Sequence, residues 1–286
     1  MDINKKPHWL LGHSSNTYSQ TGEDGIIAKI LSLLPETDRW CVEFGAWDGI
    51  HLSNVRKLIL ESQYNAVMIE GDASKFQLLK TNYSDNKNVH VVNAFVGFER
   101  TSSLDKILSA YEIPKNFDFL SIDIDGNDYY SWEAVDEYRP KVVCIEFNPT
   151  IPSEAHFVQS ANPRINQGCS VLALEQLARS KGYQLICVLP WNAFFVDEKY
   201  FERFGIADNS LHALRKDLSQ VTWFFTGYDG SVHLAGAKRL PWHGISLIDE
   251  RQVQVLPRIL QSYPPNYTNF QHKLFRLMRS LGLIRR

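Results

Sequence analysis

The residues in this sequence best suited to chemistry are acids that follow apolar runs. The stretch CVEFGAWDG (41–49) contains Glu43, Gly45, Asp48 and Gly49, and IEGD (69–72) contains Glu70 and Asp72. FLSIDIDGND (119–128) ends in Asp123, Asp125, Gly126 and Asp128, while CIEFN (144–148) closes on Glu146 and Asn148. Acids gathered on one rim repel phosphate and attract cations. The glycines of the first stretch let a ligand approach the backbone closely. Their spacing is ExGxxxG rather than GxGxxG, however, and a carboxylate beside them is a poor seat for a pyrophosphate.

The elements that must position these acids alternate along the chain. Thr21 and Asp24 are spaced as a capping box ahead of Ile26, Ile27, Ile30, Leu31 and Leu34, which recur at helical intervals. Short apolar strands are expected at residues 40–44, 66–69, 89–96, 117–124 and 141–147. The helices expected between them lie after a cap at Ser53 or Asn54, at 75–83, at 104–111 and at 129–138. Strands that are apolar on both faces and separated by helices predict a parallel sheet covered on both sides. A helix over 171–181 then leads to YQLICVLPWNAFFV, two strands joined as a hairpin at Pro190-Trp191-Asn192. The expected fold is α/β, a doubly wound, mostly parallel seven-stranded Rossmann-like sheet ending in a β-hairpin. In such sheets ligands bind at the carboxyl ends of the strands, which is where the acids collect. Residues 197–286 form a C-terminal α/β extension with a charged helix near 198–204 and a hairpin turning at Asp229-Gly230.

An acidic rim suits a cofactor with a cationic end and no phosphate. S-adenosylmethionine carries an ammonium and a sulfonium. Glu43, Gly45, Asp48, Gly49, Asp72 and Asp123 are expected around it, with Glu70 accepting both ribose hydroxyls as acids do in nucleoside sites. Asp125 or Asp123, Glu146 and Asn148 could also hold Mg²⁺, since hard oxygen donors from neighbouring strand ends suit that ion. The Glu146-x-Asn148 spacing places both side chains on one face of an extended chain. The same acids could instead orient loops or bind substrate hydroxyls.

YSQTGEDGII (18–27), VEFGAWDG (42–49), IEGD (69–72), FLSIDIDGND (119–128) and KVVCIEFNPTIP (141–152) together resemble the FkbM-type class I methyltransferases. The resemblance covers residues 18–196, which it implies are an S-adenosylmethionine-binding core. It also implies that Gln20, Glu23 and Asp24 lie near the cofactor, Gly45 and Gly49 near its methionine part, and Glu70 at its ribose. The activity implied is O-methylation of a sugar or glycan intermediate. Methylation of another small metabolite or amine, and a binding module without turnover, stand as alternatives. The acid-rich Asp125-Gly126-Asn127-Asp128 departs from the simpler DxEG of many such proteins. A hydroxyl acceptor must lose its proton, and Asp125, Asp128 and His156 are the candidate bases. His51 and His243 are further histidines to consider, and a bound metal could acidify the hydroxyl directly.

Composition narrows the partners. The 286 residues are 44% hydrophobic and 22% charged with a net charge of -2, which gives no case for nucleic-acid binding. Cys41, Cys144, Cys169 and Cys187 lack CxxC spacing, and three of them sit in strand-like runs; neither a disulfide framework nor a zinc site is expected. Residues 1–16 contain no signal-peptide h-region and no window suits a membrane span, so a reducing, cytoplasmic setting is expected. The exception to the charge balance is residues 251–286, with seven Lys or Arg and no Asp or Glu. Phe270, Leu274, Leu277, Met278 and Leu281 recur there at helical spacing. That tail could be a solvated helix, dock on the body or a second subunit of a homo-oligomer, or touch a membrane surface. The late aromatics, Trp191, Phe194, Phe195, Trp223, Phe224, Phe225 and Trp242 among them, could be core or line an acceptor pocket.

Overall fold

Five parallel strands form the centre of the protein: β1 (Trp40–Phe44), β2 (Asn65–Glu70), β3 (Val89–Asn93), β4 (Phe119–Ile122) and β5 (Val142–Glu146). All but the edge strand β3 are buried on both faces, which is why their sequences are nearly unbroken apolar runs. β6 (Tyr183–Val188) and β7 (Asn192–Asp197) complete a sheet of order β3-β2-β1-β4-β5-β7-β6, in which β7 runs antiparallel to both neighbours. The expected doubly wound sheet with its closing hairpin is thus observed. The computed structural model describes residues 6–228, 232–241 and 256–282. The turn at Asp229-Gly230, Trp242, His243, Arg251, Arg285 and Arg286 lie outside the described residues.

Crossover helices α1 (Glu23–Leu31), α2 (Arg56–Ser62), α3 (Ala73–Asn82), α4 (Leu104–Leu108), α5 (Asp128–Glu133) and α6 (Val171–Ser180) cover the sheet. All four cysteines are buried and unpaired, behaving as small core residues. The chain divides into two compact units, Met1–Asp217 and Leu218–Arg286. The first continues past the sheet through α7 (Glu198–Phe201) and α8 (Leu211–Leu214). The second contains the antiparallel pair β8 (Thr222–Thr226) and β9 (Val232–Gly236) and the helix α9 (Asn269–Ser280). The late aromatics split accordingly: Phe194 and Phe195 are core, whereas Trp223, Phe224 and Phe225 are exposed. Among the described residues no helix is long and apolar enough to cross a membrane.

Several local expectations are corrected. Thr21 and Asp24 make no capping box: Gly22, in the left-handed region, precedes α1, and Asp24 instead accepts the N–H groups of Thr17, Tyr18 and Ser19 at 2.7–2.9 Å. Neither Ser53 nor Asn54 caps α2: the Ser53 hydroxyl donates to Glu43, and the Asn54 side-chain amide donates to the Ser121 hydroxyl. The helix expected to run to residue 138 stops at Glu133, and the N–H groups of Asp136, Glu137 and Tyr138 turn onto the Asp105 carboxylate. Three donors satisfied by one buried carboxylate offset the lost helical turn.

Candidate active site

β1 runs toward β2 on one side and β4 on the other, so the switch in strand order falls between β1 and β4. Gly45 leaves β1 there with φ +77°. A Cβ at that position would lie 1.5 Å from the Asp123 carbonyl oxygen, so only glycine lets the two strand ends meet. The N–H groups of Gly45 and Ala46 both reach the Ile69 carbonyl at 3.1 Å. Trp47 follows with φ +50°, and its N–H donates to Glu70 Oε2 at 2.8 Å. The Asp72 N–H donates to Glu70 Oε1 at 2.7 Å. Glu70 is therefore held from both sides by the two turns, with spare lone pairs on each oxygen. Asp72 caps α3 through the N–H groups of Ser74 and Lys75. The Ser74 hydroxyl and these N–H groups hold its carboxyl below the ordinary range. The Lys75 ammonium lies 3.3 Å from the centre of the Trp47 ring, a cation–π contact.

These turns border a cleft of about 850 Å³. Gly45, Trp47, Glu70 and Asp72 line one side, and Asp123, Asp125, Gly126 and Asn127 another. Phe95, Phe98, Pro163, Ile165 and Asn166 also line it. Phe95 is 78% exposed and lines the cleft, so its ring is accessible to a ligand there. Among the lining residues Lys75 is the sole Lys or Arg.

At the floor, carboxylate oxygens of Asp123, Asp125 and Glu146 lie within 4.8 Å of one another. Asp123 is exposed to the cleft, yet the protein crowded around its carboxyl, then the charges of Asp128 and Asp125, push it up to about 8. Burial, then the charges of Asp123, Asp128 and Asp125, raise Glu146 well above its usual range. Like charges so close cannot all ionise, so near neutral pH the cluster retains protons. Oxygen donors of this kind fit a hard cation such as Mg²⁺. Asn148 does not join them: its amide donates to the Gln167 carbonyl at 2.9 Å, and its oxygen accepts from the N–H and hydroxyl of Thr150.

The remaining expected residues lie away from the cleft lining. Asp128 is buried and accepts the N–H groups of Ile124 and Gly126, both at 2.9 Å. It shapes the acidic loop from a buried position outside the cleft lining. His156 and His51 are exposed. Asp48 accepts from the N–H groups of Ile50 and His51; burial alone would raise its carboxyl, and these bonds with the nearby His51 hold it low. Gly49 makes its close approach to the protein itself, where a Cβ would meet Tyr83, Leu79 and Met68. Glu23 accepts from Thr21 and Asn192, Asp24 from residues 17–19, and Gln20 is exposed.

Glu43 is buried beneath the first turn, with its carboxyl bound by the Ser53 hydroxyl at 2.6 Å and the Asn54 N–H at 2.8 Å. Burial raises it from 4.5 to about 7 against those hydrogen bonds. The native state therefore keeps this proton after the unfolded chain has released it, and stability from this group declines as pH rises from 4.5 through about 7. Glu43→Gln imitates the protonated form. Between these limits its stability relative to wild type is expected to improve by up to about 3 kcal/mol, as read from urea unfolding across pH.

Sequence reasoning missed Lys75, Phe95 and Phe98 as lining residues, and the part that residues 163–166 of the loop over 149–168 take in the cleft. It also missed Gln159, whose buried amide holds that loop. Its nitrogen donates to Asn127 Oδ1 and the Ile165 carbonyl, and its oxygen accepts from Gln167 and Gly168. The available signal was Phe95, an aromatic directly before Val96-Gly97, which a longer β3 conceals.

No protein-family model matches the chain, and no curated protein matches it by sequence. Among solved structures, the citrinin polyketide synthase CMeT domain is similar with a TM-score of 0.43 and 13% identity, over 61% of this chain and 51% of that one. The CurJ carbon methyltransferase gives 0.42 and 9%, over 63% and 56%. The N-terminal domain of EvdMO1 with SAH bound gives 0.39 and 9%, over 66% and 82%. The chain thus spans about half the length of the first two. Likenesses this distant carry no argument about chemistry, which rests on the cleft.

Proposed function

We propose that the chain is an S-adenosylmethionine-dependent methyltransferase acting on a hydroxyl of a sugar or glycan intermediate. The observation that carries the reading is Glu70, fixed by the N–H groups of Trp47 and Asp72 in an acidic cleft beside the strand-order switch. A ribose diol would meet both of its oxygens, and Phe95 offers a ring face to a purine. When bound, S-adenosylmethionine supplies a methyl group activated by the sulfonium charge. Gly45 lets the ends of β1 and β4 meet beside the ligand, while the charge left on the Asp123, Asp125 and Glu146 cluster favours its cationic end over any phosphate. Asp125 is the base for the acceptor proton, since it lines the cleft while Asp128 is buried outside the lining. A sugar or glycan acceptor follows from the FkbM resemblance. An amine acceptor is the second reading, favoured by the affinity of the acidic floor for an ammonium.

Calorimetry with S-adenosylmethionine and S-adenosylhomocysteine tests the proposal. Wild type is expected to bind both, and Glu70→Ala to weaken binding by about 10- to 100-fold, the worth of hydrogen bonds to a charged group. No binding by wild type would sink the reading. Binding without transfer to a panel of hydroxyl and amine acceptors would leave a binding module. Activity unchanged by EDTA would remove Mg²⁺ from the scheme.

A further inference from the structure

The second compact unit carries a surface that the proposed chemistry does not use. α9 (Asn269–Ser280) starts with a complete capping box, in which the Gln271 N–H reaches the Thr268 hydroxyl and the Gln271 side chain returns to the Thr268 N–H. The Gln271 amide also donates to the Leu260 carbonyl and the Ser262 hydroxyl, which ties the helix to the preceding segment of its own unit. A helix so anchored has a defined orientation, and its faces can be read from the residue spacing.

Phe270, Leu274, Leu277 and Leu281 stand at i, i+4, i+7 and i+11, one stripe along the helix. An apolar stripe on a surface helix ordinarily faces the core. Here Phe270 is 62% exposed, Leu277 54% and Leu281 65%. His272, Arg276 and Arg279 take the opposite side and Lys273 flanks the stripe, all four exposed. No acid occurs anywhere in residues 251–286. The ordinary reading of a solvated charged helix fails, because such helices mix both signs and keep large apolar side chains off the surface.

We infer that α9 is an interfacial helix that seats the protein on an anionic lipid surface, with Phe270, Leu277 and Leu281 in the acyl boundary and Lys273, Arg276 and Arg279 against the headgroups. An apolar stripe bordered by cations matches both components of such a surface. A second copy of the same helix matches it poorly, since two of these faces pressed together would crowd their cations with no acid to answer them. The inference does not depend on the methyltransferase reading: vesicle binding and cofactor binding are separate measurements.

Flotation of the full chain with vesicles decides it. The protein is expected to float with phosphatidylcholine–phosphatidylserine vesicles, to stay behind with phosphatidylcholine alone, and to release as salt is raised. Arg276→Glu/Arg279→Glu and, separately, Phe270→Ser/Leu277→Ser are each expected to lower binding by at least about tenfold. All four side chains are exposed, so thermal unfolding should be unchanged in both variants. The inference is overturned by wild type that ignores the anionic vesicles, or by variants that bind them as well as wild type. It is equally overturned if light scattering finds a dimer that Phe270→Ser/Leu277→Ser splits into monomers.

Discussion

Gly45→Ala is expected to abolish S-adenosylmethionine binding and to destabilise the first unit by about 3 kcal/mol or more. Two costs combine at this residue. The backbone holds φ +77°, which an L side chain rarely adopts, and the new Cβ would lie 1.5 Å from the Asp123 carbonyl oxygen. That oxygen belongs to the backbone, so no rotamer change relieves the clash; the ends of β1 and β4 must separate. Separation shifts Asp123 and the turn to Glu70 together, and with them both charged walls of the cleft. Urea unfolding measures the first effect and calorimetry the second. An alanine variant that binds the cofactor like wild type would show that the strand-end contact does not set the site.

Lys141→Met is expected to cost about 3–5 kcal/mol of stability, the range for stranding a buried charge, while leaving cofactor affinity intact in the folded protein. Lys141 is buried just before β5, and its ammonium contacts Asp118 at 2.6 Å and Asp38 at 3.1 Å. Asp118 is fully buried and also accepts the N–H groups of Asp38 and Arg39. Removing the cation leaves Asp118 charged in the interior with too few donors. The cluster stands at the amino ends of β4 and β5, the opposite edge of the sheet from the cleft, which separates stability from binding. Asp118→Asn/Lys141→Met should recover a large part of the loss, because it removes both charges. Urea midpoints of the two variants test this, and a double variant no more stable than the single one would refute the account.

The sheet was legible in the sequence because its signal is summed over many residues. Five runs apolar on both faces, separated by helical spacings, allow one kind of layer structure, and β1 falls at residues 40–44 as expected. The placement of acids after strands was legible for the same reason, since a strand that ends marks the rim. Glu70 could be named as a candidate from its position alone, and it lines the cleft.

The use made of each polar side chain was not legible. Ser53 and Asn54 have the side chains of helix caps, yet the buried Glu43 carboxylate takes the Ser53 hydroxyl and the Asn54 backbone N–H, and the Asn54 side-chain amide donates to the Ser121 hydroxyl on β4. Asp128 reads as a base beside Asp125, but the fold buries it outside the cleft lining, where it accepts two loop N–H groups. Asn148 reads as a metal ligand beside Glu146 and is taken by Gln167 and Thr150, while Asp123 completes the acidic trio. The sequence by itself therefore determined the sheet, its direction and the acidic character of its rim, because burial and charge depend on residue type. Only the tertiary structure decided which acids stay free in the cleft and which hold its loops. Hydrogen-bond partners are selected by distance in space, and for the side chains that matter here that distance is set by strands and loops far apart in the chain.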